Sequence, residues 1–152
     1  MVAAADGLEQ YLEEGRACRA ELRESMAAVR QALDDAAQGE ETSGQRLHTG
    51  LVELVRDFAE HVSLAERSDG LFQGVREVPR LSHLVQQLVD EHPTLQSDLQ
   101  DFLTLVEQGD GVTDVPAFRE ELDGLLDRLV DHRRRGGDLL YEAFAVDLGG
   151  SG

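Results

Sequence analysis

The sequence predicts an all-α protein, an up-down-up-down four-helix bundle. Apolar residues recur at threes and fours along most of the chain, which is the helical period. Alternating apolar–polar runs are absent, proline is scarce and aromatic residues make up only 5%. Four long amphipathic segments are joined by connections rich in glycine and polar residues, and long helices with such connections pack as antiparallel neighbours.

The first helix is predicted over about 7–37, with a stripe at Leu8, Leu12, Gly15, Cys18, Leu22, Met26, Val29 and Leu33. The stretch GEETSG ends it. The second covers about 44–66, where Leu47, Leu51, Leu54, Phe58 and His61 fall in line. RSDGLFQGVREVP follows as a longer connection, because Gly70, Gly74 and Pro79 all interrupt regular structure. Asp69, Gly70, Leu71 and Phe72 in it are placed to cap one end of the bundle. The third helix is predicted over about 79–108, with Leu81, Leu84, Leu88, His92, Leu95, Leu99, Phe102 and Val106 on its stripe. Pro93 falls inside it, removing a backbone donor and crowding the preceding turn, so a kink is expected there. GDGVTD is a loop in which Asp114 is placed to cap a helix opening at Val115-Pro116. The fourth helix is predicted over about 115–146. Its stripe runs Phe118, Leu122, Leu125, Leu129, His132, Gly136, Leu139 and Ala143, and Tyr141 and Glu142 on the other side are expected to dock on the second connection. No internal repeat appears, and the 152 residues are predicted to form one domain, 1–152.

A hydrophobic fraction of 41% with 30% charged residues is the balance of a folded soluble protein. MVAAADGLEQ at the start has neither the basic region nor the apolar run of a secretory signal. Cys18 is the single cysteine, so no intrachain disulfide is expected, and the chain reads as cytoplasmic. The net charge of −17 marks an acidic protein and argues against nucleic acid or an anionic membrane as partner. All 14 basic residues are arginine, while Lys, Asn and Ile, whose codons are AT-rich, are absent. That is the signature of a GC-rich bacterial genome.

His61, His92 and His132 each fall on the apolar stripe of a different helix, whereas His48 and His83 lie off the stripes. His92 is about fourteen residues into its helix and His132 about fourteen from the end of its own, roughly 20 Å in each case at 1.5 Å per residue. Those two match in height, and His61 joins them if the third and fourth helices overhang. A single cluster is therefore predicted. The same stripes hold small residues: Gly15 on the first helix, Ala65 one turn after His61 and Gly136 one turn after His132. Glycine inside a helix costs about 1 kcal/mol relative to alanine, so these positions call for close packing or for a cavity that takes a ligand.

This pattern resembles the hemerythrin-like (HHE) family. "LEEGRACRAEL", "EHVSLAERSDGLF", "LVDEHPTL" and "LVDHRRRGGDLLYEAF" are similar to its four helical motifs, over nearly the whole chain. The resemblance implies a four-helix bundle holding non-heme iron. The family places histidine on the first helix, His-x-x-x-Glu on the second and fourth, and histidine on the third. His61, His92, preceded by Glu91, and His132 carry over. Gly15 stands for the first histidine, and Ala65 and Gly136 for the two carboxylates. A divergent subgroup with incomplete iron ligands is thus implied. Two metal ions need bridging carboxylates, which this ligand set lacks.

The expected metal ligands are His61, His92 and His132, with Glu66 as a fourth if the second helix unwinds near its end, and the metal is mononuclear iron or zinc. Other readings stand beside it: a metal-free pocket shaped by Gly15, Ala65 and Gly136, a structural or interaction bundle, and a non-heme iron enzyme acting on oxygen or peroxide. Binding or sensing of a metal ion or small molecule, rather than turnover, is the primary expectation. Arg133-Arg134-Arg135 reads as a solvated face pairing with nearby carboxylates, and Cys18 as a small buried hydrophobe. Oligomeric state is not encoded in any motif.

Overall fold

The computed structural model describes residues 2–39, 43–67, 71–108 and 111–150, with side chains described for all of these except 2–9, 11, 12, 71, 72 and 144–150. Five helices follow in order: α1 (Val2–Ala37), α2 (Ser43–Glu66), α3 (Leu71–Arg76), α4 (Ser82–Glu107) and α5 (Val115–Gly150). No strand occurs among the described residues. α1 packs on α2, α2 on α4, α4 on α5, and α5 returns to α1, closing a helical bundle. α3 touches all four.

The stripes become the buried faces. Leu22, Met26, Val29 and Leu33 of α1 meet Leu51, Leu54 and Phe58 of α2, Leu95 and Leu99 of α4, and Leu122, Leu125 and Leu129 of α5 in one apolar cluster. Each such side chain contributes about 1.5–3 kcal/mol by leaving water, so this layer carries most of the driving force. α1 and α2 approach closely at Gly50, where a Cβ would stand 3.2 Å from Cγ2 of Val29. α1 stops at Gly39, whose φ of +80° is the left-handed conformation that closes helices cheaply only with glycine. At the start of α5, Oδ1 of Asp114 accepts the Ala117 N–H at 3.0 Å, the expected cap.

Two corrections concern the second connection. Leu71–Arg76 is a helix rather than a loop, because Val75 is fully buried against Leu81, Val85, Leu88, Leu139 and Ala143 in a second, smaller apolar cluster. Burial of Val75 overrides the helix-breaking composition around it. α4 then begins at Ser82 and not at 79, since Val78–Leu81 form a turn in which the Leu81 and Ser82 N–H groups both bond to the Val78 carbonyl. α4 stays helical through Pro93. Asp69 and Gly70, assigned above to a cap, lie outside the described residues, as do the side chains of Leu71 and Phe72. Tyr141 does not dock; it is 73% exposed.

The two apolar clusters leave a layer between them. Leu95 belongs to the larger one and Leu88 to the smaller, and His92 lies between them on α4. On α5, His132 and Gly136 separate Leu129 of the larger cluster from Leu139 of the smaller. The polar layer of the protein is placed by this division of its core.

Candidate metal centre

His61 from α2, His92 from α4 and His132 from α5 converge, each offering one ring nitrogen, and the three nitrogens lie within 4.8 Å of one another. His92 and His132 are each 2% exposed. The ring centroids are 5.6 Å apart for His61 and His92, 5.4 Å for His61 and His132, and 5.0 Å for His92 and His132. Phe58, one turn before His61, forms the floor: its ring lies 5.5, 6.0 and 5.9 Å from those of His61, His92 and His132.

Nε2 of His61 and Nε2 of His132 are 3.3 Å apart. Two nitrogens bound tetrahedrally to one ion at 2.0–2.1 Å would be about 3.3–3.4 Å apart. The observed spacing matches two ligands on one ion and is also that of a hydrogen bond between the two rings. Nδ1 of His92 is buried and makes no hydrogen bond, with Oε1 of Glu66 3.8 Å away. An orphaned buried nitrogen costs about 1–3 kcal/mol unless something satisfies it. These three imidazoles could hold a metal ion.

Around His132 stands a set of orienting groups. Nδ1 of His132 lies 2.8 Å from Oε1 of Glu91, and Arg135 forks onto the same carboxylate with bonds of 2.8 and 2.7 Å. Asp131 in turn accepts from Nε of Arg135 at 2.8 Å and from Arg134 at 2.8 Å. The carboxylate of Glu91 accepts the Nδ1–H of His132, which leaves the lone pair on Nε2 facing His61. Burial pushes the Glu91 carboxyl up, but the Arg135 fork and His132 outweigh it and hold the group below its usual range.

All three histidines resist protonation. Burial comes first, and the neighbouring imidazoles add to it: the pKa of His61 falls to about 3. His92 is lowered by burial and by His132, with Glu66 opposing. His132 is also lowered by burial, with Glu91 opposing. Neutral imidazoles at pH 7 are the form that binds metal.

Glu66 does not join the converging group. α2 stays helical to Glu66, and its Oε1 approaches Nδ1 of His92 only to 3.8 Å from a partly exposed position. Gly15, Ala65 and Gly136 are all buried and line one small cavity of about 40 Å³ beside His61. His48 pairs with Glu107 at 3.4 Å, and His83 is exposed. Burial, then Glu21, Glu60 and Asp57, push the half-buried Cys18 thiol up to about 11, so it is protonated at neutral pH. Arg134 and Arg135 do pair with carboxylates, as the composition suggests, but Arg133 lines the cavity instead.

The model of the hemerythrin HHE cation binding domain matches residues 5–143. The chain belongs to the hemerythrin HHE family. No curated protein and no solved structure matches it. The orienting role of Glu91 escaped the sequence reading, although its place beside His92 in a family-like Glu-His pair was a signal. Among the described residues no helix is long and apolar enough to cross a membrane.

Proposed function

We propose that this HHE domain binds one metal ion, iron or zinc, through His61, His92 and His132, and serves as a binding or sensing module for a small ligand. Packing of the four long helices in a closed ring supports an up-down-up-down bundle, with 1–152 as a single domain. The observation that carries the reading is the convergence of one ring nitrogen from each histidine within 4.8 Å, with Nε2 of His61 and Nε2 of His132 3.3 Å apart. Three neutral donors leave a coordination position open, so a bound ion would supply a Lewis-acid site for a small ligand. The residues do the rest. Glu91 fixes the tautomer of His132, Arg135 holds Glu91, and Phe58 keeps water from the buried side of the rings.

A single ion is favoured over two because no carboxylate among the described residues joins the three histidines. Ala65 and Gly136 stand where bridging carboxylates would be needed to hold a second cation and balance its charge. A second reading, a metal-free pocket for a small molecule, is favoured by the cavity next to His61. Calorimetric titration of chelator-stripped protein with zinc, and with ferrous iron under anaerobic conditions, separates the two. Saturation at one ion per chain supports the metal site; absence of saturable binding by either metal leaves the pocket reading.

A further inference from the structure

Beside His61 the cavity of about 40 Å³ lies between α1, α2 and α5, with Gly15, Ala65 and Gly136 supplying the space and Arg19 and Arg133 its charge. The two arginines are unusual for this protein. The chain holds 31 acidic residues against 14 arginines, and Arg134 and Arg135, the next positions along α5, both pair with carboxylates. Arg19 and Arg133 pair with none among the described residues, and Nε of Arg133 is buried without a hydrogen-bond partner. Arg19 reaches the cavity over Gly15: a Cβ there would meet Nη1 of Arg19 at 3.4 Å. Two arginines thus line one small space, and neither pairs with a carboxylate among the described residues. Burial, Arg16 and Arg133 lower the pKa of Arg19.

Size and shape narrow what would complete the site. A water needs about 10–15 Å³ of such volume, so the cavity admits roughly three or four non-hydrogen atoms. Its walls are mostly apolar, Leu64 and Leu140 among them, which penalises a multiply charged or fully hydrated ion. Planar guanidinium groups match planar oxyanions through paired N–H donors. We propose that this cavity is a site for a small planar monovalent oxyanion, a short carboxylate or bicarbonate, held between Arg19 and Arg133. The site does not depend on a metal at the histidines.

The test uses the full chain stripped of metal by chelation, titrated calorimetrically with formate, acetate and bicarbonate at constant ionic strength in chloride. Saturable binding of at least one of them, at one per chain, is expected. Arg133→Gln and Arg19→Gln should each weaken it at least tenfold, and Gly136→Leu, which fills the space, should abolish it. Circular dichroism checks that each variant folds; Arg19→Gln, at a partly exposed position, suffices if Arg133→Gln does not. Tighter binding of bicarbonate than of formate and acetate assigns the ligand to dissolved carbon dioxide, and the reverse order to a short organic acid. No saturable binding of any of the three, binding that survives both arginine substitutions, or phosphate binding as tightly as formate overturns the proposal. Zinc titration of the same variants reports on the histidines separately, so loss of one site is not mistaken for loss of the other.

Discussion

Nδ1 of His132 and Oε1 of Glu91 are 2.8 Å apart, and that contact decides which nitrogen of His132 faces the cluster. With the Nδ1 proton committed to Glu91, Nε2 presents its lone pair at 3.3 Å from Nε2 of His61. In the metal-free protein the neutral His61 ring donates its Nε2–H across that gap. A cation would take the place of that proton.

Glu91→Gln should therefore weaken metal binding without unfolding the protein. The amide loses the charge that makes His132 a better donor, and substitutions of this kind typically cost about 10–100-fold in affinity. Competition titration with a chromophoric zinc chelator measures it. An unchanged affinity would show that the carboxylate does not orient the ligand.

Acid should destabilise the metal-free protein earlier than its carboxylates do. His61 has a native pKa of about 3, against about 6.5 in the unfolded chain. Above pH 6.5 both states are neutral and stability is flat. As pH falls from 6.5 toward 3 the unfolded state takes up a proton that the native state refuses, so stability is lost across that window. His92 and His132 are shifted in the same direction and add to the slope. Between pH 7 and 5 ordinary carboxylates scarcely titrate, so urea denaturation midpoints over this range isolate the histidines. A flat profile there would contradict the buried neutral cluster.

Phe58→Ala should cost about 3–5 kcal/mol, the usual range for emptying a buried aromatic site. Phe58 is 0% exposed and touches all three histidine rings. The same change should loosen the ring positions, so zinc affinity and thermal midpoint should fall together. Loss of stability with unchanged affinity would mean that Phe58 supports only the core.

Two glycines should respond oppositely to alanine. Gly124 lies inside α5 with nothing within 4 Å of a Cβ, so Gly124→Ala should stabilise by about 1 kcal/mol. At Gly50 the new methyl would press on Val29 at 3.2 Å, and Gly50→Ala should destabilise the contact between α1 and α2. Thermal denaturation distinguishes them; equal gains would show that α1 and α2 are free to separate.

The long helices were legible because their apolar residues repeat at the helical period, and that same period put His61, His92 and His132 on inward faces. Helix lengths matched His92 and His132 in height, whereas His61 joined them only on the condition that the third and fourth helices overhang. Small residues on the stripes left close packing and a cavity as alternatives, and Gly15, Ala65 and Gly136 line a cavity. What failed to show was everything set by packing between helices. Val75 reads as part of a loop until the partners on α4 and α5 that bury it are known. Glu91 looks like half of a Glu-His pair, yet it serves His132 across the bundle rather than His92 beside it. Arg133 is indistinguishable in sequence from Arg134 and Arg135, and only the rotation of α5 turns it toward the cavity.

The most direct test of the metal centre is elemental analysis of the protein purified without a metal-affinity tag, alongside His132→Ala. About one iron or zinc per chain in the parent, lost in the variant, is the predicted result. Metal well below one per chain, or content unchanged by His132→Ala, would contradict it.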